Sequence, residues 1–213
     1  MNEDKASWHV EVISSEVAQT AQRLSEIKTL SSFYLAGGTG LALHLGHRRS
    51  VDLDFFSPEP FNEDALIAAL QVLPNVSVLS KSNQTVYLHI SGTKVSFIEY
   101  DYPLLFPLRR FQGLPVADVR DITAMKISAL ASRGSRRDFV DLYVVAQKYD
   151  LPPLLELFER KFAKANYSMV HVRKALTYLA DADKEAMPDM LVPLSWNQVK
   201  EYFVREVTKL RIP

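Results

Sequence analysis

The sequence contains no cysteine among its 213 residues. Disulfides, thiolate zinc sites and cysteine nucleophiles are thereby excluded, and the composition fits a reducing cytoplasm. Neither sign of charge is in excess: 25 Lys and Arg balance 25 Asp and Glu. A neutral chain does not coat a polyanion through net charge, so any nucleic acid it binds must meet a local basic patch. No apolar run reaches the roughly 20 residues that span a bilayer. The N-terminal stretch MNEDKASWHVEV is polar and acidic and lacks the apolar core of a signal peptide. Repeats and low-complexity tracts are missing as well. His9, His89 and His171 lie far apart, without metal-ligand spacing. These absences predict a cytoplasmic protein with no membrane contact. The chain is 47% hydrophobic and 23% charged, close to the globular norm, so it can bury one large core or two small ones.

The pattern of apolar residues predicts two halves. Ser14 to Leu30 reads as a capped helix with Val17, Ala21, Leu24 and Ile27 at helical spacing. Phe33 to Ala36 reads as a buried strand running into a Gly37-Gly38 turn, and Thr39 to His47 as a short helix. A strand follows over 51–57, then a helix capped by Asn62 and running to Leu70. Strands are expected over 76–79, 85–90 and 94–100, the last two joined by a hairpin turn at Ser91-Gly92-Thr93. Pro103, Pro107 and Pro115 break the region 102–117. Beyond it helices are expected over 119–132, 136–149, 153–164, 166–182 and 195–210. The predicted class is α+β: a mixed sheet with flanking helices over residues 1–115, then a helical domain over 116–213 packing on it.

Chemistry concentrates where the glycines meet two carboxylates. Gly37 and Gly38 let backbone amides approach a ligand closely, and a helix starting there aims its N-terminal N–H groups at the same spot. That arrangement suits a triphosphate, and Thr39 can add a hydroxyl. Taken alone the two glycines are more often just a turn. Asp52 and Asp54, two apart on a strand, leave the same face, while Leu53 and Phe55 point into the core. Adjacent carboxylates repel unless a cation lies between them, and oxygen-seeking Mg²⁺ with nucleotide phosphates answers that need. A solvated strand face is the plain alternative. The short separation of the two motifs allows one helix and a return to the neighbouring strand.

The run from Phe33 to Phe56, including Gly37-Gly38-Thr39-Gly40-Leu41 and His47-Arg48-Arg49-Ser50-Val51-Asp52-Leu53-Asp54, resembles the AbiEii/AbiGii toxin family of nucleotidyltransferases. A second block, Asp121 to Lys126 and Arg133 to Tyr143, resembles the same family. The resemblance implies a polymerase-β-like nucleotidyltransferase fold, Mg²⁺, and a nucleoside triphosphate, with GTP associated with family members. It also implies a toxin of toxin–antitoxin type with a cognate antitoxin protein, transferring a nucleotide to RNA, in some members to the tRNA acceptor end. By position it assigns Gly37, Gly38 and Thr39 to phosphate, Asp52 and Asp54 to metal and catalysis, and Lys126 to the triphosphate. Asp138 either orients a basic group or acts on the acceptor hydroxyl. Similar folds also modify small molecules such as aminoglycosides, and a catalytically silent nucleotide-binding module is a third reading.

One departure stands out. The superfamily often carries a third carboxylate on a later strand; here that position holds Ser96, before Phe97. Either Glu99 or Asp101 substitutes, another group serves as base, or activity is reduced. A regular strand puts Glu99 on the opposite face from Ser96. His47, Arg48 and Arg49 can reach phosphate or RNA, or close the preceding helix at its negative pole. Lys126 and Arg133, seven residues apart, share a helix face. Tyr34, Phe55, Phe56, Phe97, Phe139 and Tyr143 read as core.

Overall fold

A computed structural model describes residues 8–210, so the first seven residues of the polar N-terminal stretch lie outside the described residues. The chain divides into two compact units. The first takes the chain up to Asp101 and returns for Leu108–Val116; the second takes Tyr102–Pro107 and everything from Ala117 onward.

The first unit is built on one mixed sheet. Its helices are α1 (Ser15–Ser25), α2 (Gly37–Leu45) and α3 (Glu63–Leu70). Its strands are β1 (Tyr34–Leu35), β2 (Leu53–Ser57), β3 (Val76–Ser82), β4 (Thr85–Ile90), β5 (Thr93–Glu99), β6 (Arg109–Phe111) and β7 (Leu114–Val116), in the order β3-β4-β5-β2-β1-β7-β6. β2 runs parallel to β5, and β1 runs antiparallel to β2. Alternation along the strands sends Leu53, Phe55, Val86, Leu88, Val95 and Phe97 to one side, where they are fully buried. Val17, Ala21 and Leu24 of α1 and Leu66 and Leu70 of α3 join them in a single core. Ser14 caps α1 through the Val17 N–H, and Asn62 caps α3 through the Ala65 N–H.

Several expectations for this unit change, among them the start of the second strand, at Leu53 rather than 51, and the end of the third, at Ser82 rather than 79. The helix expected to reach Leu30 ends at Ser25, whose hydroxyl donates to the Gln22 carbonyl at 2.6 Å; a separate 3₁₀ turn covers Lys28–Leu30. That local bond offers the backbone an alternative to further helix. α2 starts two residues earlier than expected, at Gly37. β6 and β7, expected only as proline-broken chain, form a hairpin through Gln112 and Gly113, both at positive φ. Pro115 is tolerated because β7 pairs with β1 only through Val116 opposite Leu35.

The second unit consists of α4 (Val119–Arg133), α5 (Arg136–Tyr149), α6 (Leu151–Lys161), α7 (Met169–Thr177) and α8 (Trp196–Lys209). Asp118, Ser135, Ser168 and Ser195 each cap the helix that follows, Ser195 in a full capping box with Gln198. α4 touches α5, α6 and α7, and α8 closes over α5 and α7. Phe139, Phe158, Leu142, Val199 and Phe203 fill the space between them. The helix expected over 166–182 is confined to Met169–Thr177. No helix among the described residues is long and apolar enough to cross a membrane.

The short segment Tyr102–Pro107 is bound to these helices by a buried ion pair. Lys161 Nζ lies 2.8 Å from Asp121 Oδ1 and donates to the Pro103 carbonyl at 2.7 Å. Asp121 also accepts the backbone N–H groups of Leu105 and Phe106. Both side chains of the pair are fully buried. The Arg120 guanidinium sits 3.5 Å from the Phe106 ring centre, and Tyr102 meets Phe162 edge-on.

Candidate active site

The glycine pair and the acidic pair meet at the first turn of α2. Gly37 has φ +60, a left-handed conformation that favours glycine. A Cβ there would stand 2.5 Å from Asp54 Oδ2. A Cβ on Gly38 would stand 2.6 Å from Arg48 Nη2 and 3.5 Å from Ser50 Oγ. The two glycines are therefore the places where a carboxylate and a guanidinium press against the start of a helix. The Ala36 N–H donates to the Asp54 carbonyl at 3.0 Å, and the first intrahelical bond of the turn is Gly40 N–H to the Ala36 carbonyl. The amides of Gly37, Gly38 and Thr39 precede it and have no partner one turn back in the helix. Their positive pole lies beside the Asp54 carboxylate, a favourable placement for the negative charge.

Asp54 lies on β2 and Asp52 just before its first residue; both are half-buried, with Leu53 between them fully buried. Thr39 fixes the approach to this strand. Its hydroxyl donates to the Asp52 carbonyl and hydrogen-bonds with Ser50 Oγ at 2.8 Å. With 1% of its surface exposed, Thr39 turns its side chain into the unit rather than out of it. The loop from Gly46 to Ser50 is clamped from the N-terminal side: Ser50 N–H donates to the Val12 carbonyl and Arg49 Nη1 to the Glu11 carbonyl at 3.3 Å. His47 and Arg48 are buried, and Arg48 Nη1 donates to the Arg49 carbonyl.

Parallel pairing of β2 with β5 places Ser96 opposite Asp54, and the Ser96 hydroxyl donates to Asp54 Oδ1 at 2.6 Å. The register continues without a bulge to Ser57 opposite Glu99. Glu99 thus faces the Leu53 and Phe55 side, away from Asp54. Asp101 is exposed, beyond the end of β5. No group of three or more His, Asp or Glu stands together as a ready metal shell among the described residues.

Lys126 and Asp138 belong to the second unit. Lys126 Nζ bridges Asp138 Oδ1 at 2.9 Å and Asp141 Oδ2 at 2.8 Å. Arg133 Nε reaches Asp138 Oδ2 at 2.8 Å, and the Ser135 hydroxyl donates to the same oxygen. Asp138 and Asp141 are fully buried, and Lys126 is 7% exposed. Burial pushes the Asp138 carboxyl up, but the Lys126 ammonium, the Arg133 guanidinium and Ser135 together hold it below the usual carboxylate range. Asp138 thus meets two basic groups, Lys126 and Arg133. Asp141 holds Lys126 as closely as Asp138 does. Arg136 is occupied within the unit, donating to the Ala182 and Asp183 carbonyls and lying over Trp196. A cavity of about 470 Å³ in this unit, lined in part by Asp150, Tyr202, Arg205 and Glu206, holds none of the motif residues. Burial, then Glu206, pushes its Tyr202 phenol up to about 12.

Residues 21–211 match the family model described as nucleotidyl transferase AbiEii toxin, type IV toxin–antitoxin system. An uncharacterised protein of Aquifex aeolicus (strain VF5) is 35% identical over 201 residues, covering 92% of this chain and 96% of that protein. Among solved structures, the nucleotidyltransferase toxin MenT4 of Mycobacterium tuberculosis H37Rv superposes with a TM-score of 0.60 at 16% identity, over 92% of this chain and 84% of that one. The antibiotic-resistance factor ANT(2'')-Ia superposes with a TM-score of 0.53 at 10% identity, over 73% and 96%. Likeness at these identities is likeness of fold. The family match covers both the glycine–aspartate motif and the Lys126–Asp138 block, and on it the chain belongs to the AbiEii toxin family of nucleotidyltransferases, a family of transferases.

Proposed function

We propose that the protein is an Mg²⁺-dependent nucleotidyltransferase toxin that moves a nucleotide from a nucleoside triphosphate, GTP first among the candidates, to a hydroxyl of an RNA acceptor such as a tRNA end, forming a phosphodiester at the α-phosphorus and releasing pyrophosphate. The observation that carries the reading is the approach of the Asp54 carboxylate to Gly37 at the start of α2. It sets the first N–H groups of a helix beside a carboxylate, which supports a phosphate half and a metal half of one site. The donor set fits the ion. Mg²⁺ commonly takes one or two carboxylates and fills its remaining positions with phosphate oxygens and water. Asp52 and Asp54 would hold it, and once bound it would neutralise charge on the phosphates.

The chain's own residues do the positioning. The amides of Gly37, Gly38 and Thr39 orient the triphosphate at a helix N-terminus. Thr39 holds the backbone of Asp52, and Ser96 fixes the rotation of the Asp54 carboxylate. Lys126 and Asp138 are proposed as further residues on which transfer depends. A cognate antitoxin is the expected regulator, and the cytoplasm, which supplies both triphosphates and RNA, the expected compartment.

The purified full chain, Mg²⁺, each labelled nucleoside triphosphate and total RNA test the proposal directly. Label should enter RNA, and Asp54→Asn should abolish transfer while leaving the fold intact by circular dichroism. Labelling of an aminoglycoside with none of RNA would overturn the acceptor. Absence of transfer to any acceptor, or full activity of the Asp54→Asn chain, would overturn the reading as a whole.

A further inference from the structure

We infer that the polar side of the sheet, from Asp54 across Ser96 to Tyr87 and Lys94, is the track on which the last nucleotides of a single-stranded RNA acceptor lie. The inference rests on the RNA-acceptor reading above and adds the surface that reading lacks.

The register draws the track. Asp54 stands opposite Ser96, Ser96 opposite Tyr87, and Tyr87 opposite Ser80, so one line crosses β2, β5, β4 and β3. The neighbouring line on the same side joins Lys94, His89 and Ser77. Strands are spaced about 4.8 Å apart, which puts Tyr87 roughly 10 Å from Asp54. The opposite side of β2, β5 and β4 is the buried core, whereas β3 is exposed along almost its whole length. Ser77, Ser80, His89 and Lys94 are exposed and Tyr87 is half-buried, while Ser96, between Asp54 and Tyr87, is buried and donates to the Asp54 carboxylate. In the other direction the same side is closed, because Tyr34, 1% exposed, stacks on Phe56.

An ordinary solvated sheet face needs only polar residues. This one carries an aromatic ring on the line that begins at Asp54, with Lys94 Nζ 5.8 Å from the ring centre. A ring to stack a base, beside a cation to meet its phosphate, is the pairing by which proteins hold single strands without reading sequence. The charge fits as well. No carboxylate occurs on β3 or β4, and the single one on β5, Glu99, faces the other side. A phosphodiester chain leaving the Asp54 site over β5 and β4 therefore meets Lys94 and His89 and no acidic group on those strands.

Binding of a short fluorescent single-stranded oligoribonucleotide to the full chain tests this apart from turnover. Tyr87→Ala should weaken binding about tenfold, while Tyr87→Phe, which keeps the ring, binds like the wild type. Lys94→Gln should weaken binding and flatten the dependence of log affinity on log salt by about 0.7, the loss of one phosphate contact on a single strand. Lys28→Gln, an exposed lysine elsewhere in the same unit, should change neither. Wild-type affinity in both Tyr87→Ala and Lys94→Gln, or an equal loss in Lys28→Gln, overturns the track. RNA labelling that persists with Tyr87→Ala at subsaturating acceptor overturns the track and leaves the RNA-acceptor reading standing. A wild-type chain that neither binds nor labels RNA overturns both.

Discussion

Ser96 donates to Asp54 across the parallel β2–β5 pairing, at 2.6 Å. A serine in that register holds the carboxylate still but adds no charge to it. Replacing it by an acid would place two carboxylates at hydrogen-bonding distance, a pair that cannot both ionise cheaply without a cation. Ser96→Asp should therefore melt below the wild type in EDTA, and Mg²⁺ should raise its Tm more than it raises that of the wild type. Equal Mg²⁺ responses, read by thermal denaturation, would count against a metal at Asp54. Ser96→Ala, which loses the hydroxyl, should lose about 1 kcal/mol, or roughly 2–4 °C in Tm.

The two glycines should respond unequally to alanine. At Gly37 the backbone is left-handed and the new Cβ meets the Asp54 carboxylate. Gly37→Ala should cost roughly 1–3 kcal/mol and displace Asp54, so transfer falls with stability. At Gly38 the obstacle is the far end of Arg48, and alanine favours the helical backbone by up to about 1 kcal/mol. Gly38→Ala should lie much closer to the wild type in urea unfolding. Equal losses at the two positions would mean that the Asp54 contact is not what Gly37 accommodates.

The parts of the site that read directly from the chain are the local ones. Gly37-Gly38 and Asp52-x-Asp54 are each set by neighbours a few residues away, although the strand itself begins only at Leu53. What the glycines make room for was not legible. The motif alone suggests room for a phosphate; what the fold sets against the two glycines is Asp54 and Arg48, and only the folded loop shows that. Whether Glu99 could replace the missing acid turned on a register 42 residues long-range, and pairing between distant strands leaves no local mark. β6 and β7 were hidden because strands of three residues are too short for a period, and Pro115 argues against a strand. Lys161 carried no signal at all: its partner Asp121 is 40 residues away.

Asp138 makes the second unit sensitive to acid. Its carboxyl is held below the usual range because Lys126, Arg133 and Ser135 outweigh the cost of burial. A group whose folded pKa lies below its unfolded value, about 3.9 for Asp, stabilises the fold at pH above that value. The contribution fades as pH falls through the folded pKa. Asp138→Asn should cost about 3 kcal/mol near neutrality, the low end for a buried pair, since Lys126 keeps Asp141 and Arg133 is largely exposed. In urea titrations the gap between wild type and variant should be flat from pH 7 to about 5 and should narrow below about pH 4. A gap that stays constant down to pH 3 would show that folding does not lower the Asp138 pKa.

The Lys161–Asp121 pair predicts where the chain opens first when it is broken. Lys161→Met leaves Asp121 buried without its cation. Removing one partner of such a pair costs about 3–5 kcal/mol. The loss should be local before it is global, because the Pro103 carbonyl loses its donor at the same time. Limited proteolysis should then cut within Tyr102–Pro107 under conditions where the wild type resists. The double variant Asp121→Asn with Lys161→Met removes the orphaned charge, and an asparagine oxygen can still accept from the Leu105 and Phe106 amides. Its stability should lie above that of Lys161→Met alone. If the double variant is instead the sum of two independent losses, the pair is not coupled, and segment 102–107 is held by the Tyr102 and Phe106 ring contacts rather than by charge.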